Sequence, residues 1–245
     1  MPKARKNLIS VDTTPYYHCV SRCVRRAFLC GLDPFTKQSY EHRKAWIEQR
    51  ILALGQVFCL DICAYAVMSN HYHVVLHINM AKLAKLSNRQ VLARWFSLFQ
   101  GNPLVARFLR DEPLCDAELA AITDIAAQWR ERLVNISWFM KVLNESIARK
   151  ANAEDGCTGK FWEGRFKSQA LLDEKALAAC MAYVDLNPVR ASRRKHRNNP
   201  HIPLSESVYW PCKIQPRLLK AISQKHCSRL WLIHARTQPK AYHLG

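Results

Sequence analysis

Acidic residues are scarce in this 245-residue chain: 19 Asp and Glu stand against 37 Lys and Arg, a formal charge of +18 and a pI near 9.7. That excess goes far beyond what solubility needs, so the partner to expect is a polyanion, nucleic acid first. Also missing is any run of ~18 uninterrupted apolar residues, which excludes an apolar membrane-crossing helix. The opening Met-Pro-Lys-Ala-Arg-Lys has no apolar stretch behind its basic residues, so no export signal is read there. The expectation is a soluble, cytoplasmic protein with no membrane partner. Glycine is rare at seven residues, internal repeats and low-complexity segments are absent, and 49% of the chain is hydrophobic. Such a chain can bury the core of one sizeable domain with elaborations.

Cysteine is not lacking, with ten residues, but they are dispersed through apolar segments of a mid-sized chain, unlike the staples of small secreted scaffolds. They read as reduced thiols. Cys19/Cys23 and Cys59/Cys63 could form the two halves of a zinc site, but they lack a knuckle glycine and sit in strand-like sequence. Small buried hydrophobes is the preferred reading.

Tyr16 to Val24 is rich in strand formers, and Thr36 to Leu54 carries Tyr40, Trp46, Ile47 and Ile51 at helical spacing before Gly55 as a stop. Val57–Val67 and His71–Ile78 read as an antiparallel β-hairpin around Met68-Ser69-Asn70. Lys85 to Gln100 reads as a helix capped by Ser87, and 103–115, with Pro103 and Pro113, as a connection. Asp116–Leu133 and Ser137–Ala153 are helical by period, so a helical insert is expected at about 85–135. Lys160 to Lys167 interleaves basic and aromatic residues. Asp173 caps a last helix expected to end at Asn187-Pro188, because proline removes a donor.

From Arg190 to Gly245 there are twelve Lys or Arg and a single acid, Glu206. The run Arg193–Arg197 is either a solvated loop or, given Tyr209, Trp210 and Trp231 nearby, a nucleic-acid face.

His71 and His73 alternate around Tyr72 in a strand, so they share one face with alpha carbons roughly 6 to 7 Å apart, close enough to hold one metal ion. Alone, the pair could also be two ordinary residues. Tyr183 and Asn187, spaced i, i+4, point to one side of their helix, so an amide oxygen could join the imidazoles while a phenol waits alongside. His77 is on the same face but roughly 13 Å beyond His73, too far to share the ion. His18 could approach from the neighbouring strand and is given no role. Glu163 and Asp61 read as solvated or ion-paired acids.

Three segments together, Tyr65–His73, Gly164–Lys167 and Tyr183–Ala191, with the Tyr17-His18 strand before them, resemble the single-tyrosine HUH transposases, in particular the group of REP-associated tyrosine transposases. The resemblance spans 16–191. It implies an α+β fold: a ferredoxin-like or RRM-like antiparallel sheet core with helices, occupying 1–191, followed by a basic extension at 192–245. It further implies His71, His73 and Asn187 as ligands of a divalent ion, Mg²⁺ or Mn²⁺, and Tyr183 as the nucleophile that forms a 5′-phosphotyrosine link. Tyr72, where the family usually has an aliphatic residue, should face the core.

Arg165, Lys167, Arg190 and Phe161 are the expected DNA contacts, since cations meet phosphates and an aromatic face stacks on an unpaired base. The implied partner is single-stranded DNA with hairpin ends, handled by a monomer or homodimer. Two other readings stay open: a domesticated hairpin-DNA binder that no longer cuts, and an RNA binder on an RRM-like sheet.

Overall fold

The computed structural model describes residues 9, 13–24, 28–33 and 35–198, with side chains up to Asn187. The expected extension at 192–245 therefore lies outside the described residues, apart from the backbone to Asn198. Four strands, β1 (Tyr16–Arg22), β2 (Leu60–Val67), β3 (His71–Ile78) and β4 (Lys167–Ala170), form one sheet in the order β2-β3-β1-β4. Every neighbouring pair is antiparallel. With α1 (His42–Val57) between β1 and β2, and α6 (Ile136–Glu154) between β3 and β4, this is the ferredoxin-like βαββαβ arrangement. The α+β expectation is met.

Alternation explains the layers. Tyr17, Cys19 and Ser21 of β1 and Tyr72, Val74 and Leu76 of β3 are buried on one face, against α1 and α6. There Tyr65 donates to Glu48 of α1, and Tyr72 donates to Asn144 of α6 at 2.5 and 2.7 Å. Tyr72 is fully buried, as its alternation requires. The opposite face carries His71, His73, Val75 and His77 and is covered by α7 (Glu174–Asn198), which packs on β2 and β3. A bulge at Cys63 shifts the β2 register between Ile62 and Ala64.

Between β3 and α6 come α2 (Met80–Ala84), α3 (Asn88–Phe96), α4 (Pro103–Leu109) and α5 (Asp116–Leu133). Ser87 caps α3 with a full capping box. α4 corrects the reading of 103–115 as a connection. Asn102 accepts from the Val105 N–H and Pro103 occupies the first turn, where its missing donor costs nothing, so this proline starts a helix.

Two expected stops also fail. α1 continues through Gly55 to Val57; a Cβ on Gly55 would lie 2.7 Å from Ile62 Cδ1, so the glycine serves close approach of helix to strand. α7 begins after its Asp173 cap, which accepts from the Ala176 N–H at 2.7 Å, and runs through Pro188 to Asn198. Loss of one backbone bond is outweighed by the turns on either side, the first of which bury Leu177, Met181 and Val184.

None of the described cysteines forms a disulfide. Cys19, Cys23, Cys59 and Cys63 are buried, and burial pushes the thiols of Cys23 and Cys63 up to about 11 and about 12. They behave as the small hydrophobes expected. Among the described residues no helix is long and apolar enough to cross a membrane.

Candidate functional site

Cross-strand register gathers the histidines. Val20 of β1 lies opposite both His73 of β3 and Lys167 of β4, and His73 lies opposite Ala66 of β2. Directly opposed residues share a face, so Lys167, Val20, His73 and Ala66 form one row across the sheet. Arg22 and His71 form the next row. The rings of His71 and His73 are 4.9 Å apart, centre to centre, at 78°. Both project from the one face that the alternation anticipates.

Each imidazole is held by its second nitrogen. His71 Nδ1 is 2.7 Å from Asn70 Oδ1, which can only accept, so His71 carries its proton there and leaves Nε2 with a lone pair. His73 Nδ1 is 2.9 Å from His18 Nε2, and the two rings stack at 5.1 Å and 15°. His73 Nε2 is buried with no hydrogen-bond partner. His18 and Asn70 are thus part of the site, although sequence reasoning gave neither a role. The signals were there, in a histidine on the adjacent strand and a polar residue immediately before the pair.

Electrostatics keep these rings neutral. Burial, then the neighbouring His18 and His71, hold His73 down to about 4. Burial lowers His18, and burial followed by Arg22 lowers His71. Neutral imidazole is the form that ligates a metal.

α7 brings the tyrosine. The Tyr183 ring meets His73 edge-on, centres 5.7 Å apart and planes at 89°, while 44% of the residue remains exposed. His73, by contrast, is 5% exposed. Asn187 lies one turn further along the same helix face, and its Nδ2 is buried without a partner. Because α7 passes through Pro188, Tyr183 and Asn187 sit inside a helix and not at its end.

The other expected residues divide. Lys167 is exposed on the histidine face, two strands from His73, or about 10 Å. Arg165 is exposed in the segment before β4. Phe161 corrects its expectation as a stacking residue: it is 5% exposed, packed edge-on against Trp162 in the core, and offers no face to a base. Nothing in the interleaved pattern of 160–167 distinguishes a core aromatic from a surface one. The side chain of Arg190 lies outside the described residues.

His77 stacks on Tyr16 and bonds Asp61 at 3.0 Å, the satisfied histidine expected, and Glu163 faces Arg22 at 3.6 Å.

Among the described residues no three His, Cys, Asp or Glu side chains gather to hold a metal by themselves. Two imidazoles with open Nε2 positions nevertheless fit a metal held through few protein ligands; Asn187 would join them only through Oδ1, since its orphaned Nδ2 is a donor that suits an acceptor and not a cation. Their ring centres, 4.9 Å apart, are close enough for both rings to reach one ion. An orphaned buried polar atom otherwise costs about 1–3 kcal/mol, which a bound ligand would remove.

Neither a protein-family model nor a curated protein matches the chain. A solved structure described as the REP-associated tyrosine transposase bound to a REP hairpin is similar over 83% of this chain and 90% of that one, with 13% identity and a TM-score of 0.41.

Proposed function

We propose that the chain is a DNA strand transferase that cuts and rejoins single-stranded DNA, flanked by hairpin ends, through a 5′-phosphotyrosine intermediate on Tyr183. The observation that carries the reading is the edge-on approach of the half-exposed Tyr183 ring to His73, whose Nε2 is buried without a partner. A half-exposed phenol beside two neutral imidazoles stands where a strand arriving from solvent can meet both.

His71, His73 and Asn187 would hold the divalent ion, which would draw electron density from the scissile phosphorus and stabilise developing charge. The chain's own groups do the rest. Tyr183 Oη gives up its proton and bonds to phosphorus as the bond to the 3′-oxygen breaks, and that oxygen leaves as a 3′-hydroxyl. Bond energy stays in the tyrosine ester, so a second 3′-hydroxyl attacking phosphorus restores the phenol and joins strands without ATP. Asn70 and His18 hold the imidazoles in orientation, and Lys167 and Arg165 offer cations to the strand's phosphates.

The test uses labelled single strands flanked by hairpins with Mg²⁺ or Mn²⁺, read on a denaturing gel for a covalent adduct. Wild type should form it, and Tyr183→Phe should lose it while still binding DNA. An adduct that persists in Tyr183→Phe removes the nucleophile assignment. His71→Ala should bind and fail to cut.

A further inference from the structure

A second constellation lies among the helices after β3. α3, α5 and α6 surround a cavity of 320 Å³ lined by Trp95, Phe99, Trp129, Trp138, Arg132 and Lys141. Its floor is fixed, since Trp95 and Trp129 are 2% and 7% exposed. Phe99 leans over Trp95, ring centres 5.1 Å apart, yet remains 39% exposed at the mouth. Trp138 meets Trp95 edge-on at 5.2 Å.

Two cations stand over these rings. The Arg132 guanidinium is 5.4 Å from the Trp95 centre and 5.0 Å from that of Trp138, and the Lys141 ammonium is 4.7 Å from Trp138. In the same group of helices Arg89, Arg107, Arg110 and Arg149 each pair with an acid. Among the described residues no carboxylate pairs with Arg132 or Lys141. Arg132's side-chain partner is the neutral Gln128, at 3.4 Å. The rim also includes Gly101, where an added Cβ would meet nothing within 4 Å, so a chain can pass close over the backbone.

An aromatic floor selects a flat ring, and two unneutralised cations select an anion. A nucleotide joins both in one molecule. We infer that this cavity holds one unpaired nucleotide of a single DNA strand, its base stacked on Phe99 with an edge toward Trp138, whose plane stands at 76° to that of Phe99, and its phosphate against Arg132 and Lys141. The open mouth suits a residue of a continuing strand, and the +18 charge favours a polymer with many phosphates over a lone nucleotide. The choice of DNA rests on the proposed function, but none of the residues belongs to the histidine face. The cavity would act as a second grip on the strand, separate from the reacting phosphate.

The experiment uses the full chain carrying Tyr183→Phe, without metal, so that cutting plays no part. A single strand containing 5-iododeoxyuridine is bound at about 0.3 M salt, which suppresses non-specific phosphate attraction, then irradiated, and the crosslinked peptides are mapped. Crosslinks at Phe99 or Trp138 are expected, and Phe99→Ala and Lys141→Glu should each weaken binding about tenfold, the scale of one lost stack or phosphate contact. Both side chains are exposed, so both variants should keep the parent's melting temperature, and Lys141→Glu tests the site even if Phe99→Ala unfolds. Crosslinks confined to other peptides, with affinity unchanged in both variants, overturn the inference, as does displacement of the strand by an equal concentration of thymidine monophosphate. Adduct formation by the chain with Tyr183 intact is a separate measurement, so its failure leaves this result standing.

Discussion

Asn144 ties the helical layer to the strand that carries the histidines, and removing it should be costly. Its Oδ1 accepts from the Tyr72 hydroxyl at 2.7 Å and its Nδ2 donates to Ser21 Oγ at 2.9 Å. Tyr72 and Ser21 are 0% and 3% exposed, so neither can turn to water when Asn144 is truncated. A third bond, from Trp162 Nε1 to the Asn144 carbonyl at 2.8 Å, uses the backbone and should survive. Asn144→Ala thus strands two buried groups at about 1–3 kcal/mol each, a loss of roughly 2–6 kcal/mol.

In a chain of this size that loss should lower the melting temperature by about 4–24 °C. Tyr72→Phe deletes the donor itself and leaves one oxygen on the half-buried Asn144 without it, so it should cost only about 1 kcal/mol. The double variant should then be more stable than the two single losses predict, by about 1–2 kcal/mol. Urea unfolding followed by tryptophan fluorescence measures all four proteins. Strict additivity, or an Asn144→Ala loss under about 0.5 kcal/mol, would refute the reasoning.

Three further outcomes are expected. The unfolded chain protonates the His73 imidazole near 6.5, whereas the folded chain resists until about 4, so stability is full above that range and falls with acidification. About 2 kcal/mol should be lost between pH 7.5 and 5, out of about 3 in all, and His73→Phe should flatten this slope in urea midpoints. Gly55→Ala gains up to ~1 kcal/mol of helix propensity but presses on Ile62 Cδ1, for a net loss of about 1 kcal/mol. In an Ile62→Val background, which lacks that atom, the same change should stabilise in thermal melts. Arg43 is 1% exposed and bonds Glu154, Asp155 and the Phe28 carbonyl, so Arg43→Ala should cost about 3–5 kcal/mol by breaking a buried ion-pair cluster and taking the guanidinium from Asp155, while Glu154 keeps His42, read from urea midpoints.

Regular elements were legible wherever a local period ran uninterrupted. α5 matches its expected bounds, Asp116–Leu133, because its apolar spacing and capping residues all act within one segment. Punctuation misled where one residue has two uses. Pro103 opens a helix, Pro188 lies within one, and Gly55 makes room for a strand side chain in the middle of another. Phe161 shows the same limit, since an aromatic between lysines has the same local pattern whether it faces the core or solvent.

The sequence by itself determined that His71 and His73 share a face with Tyr72 opposite, and that Tyr183 and Asn187 share a helix side. Those relations follow from periods of 2 and 3.6 residues within single elements. Only the tertiary structure decided that His18 bonds His73, that α7 lays Tyr183 edge-on to His73, and that Arg132 and Lys141 stand over Trp138. The first of these depends on strand register, set by the pairing of β1 with β3 across 55 positions of chain. The others depend on which helix faces dock. Such long-range choices are made by burying whole surfaces together, and no local spacing encodes them.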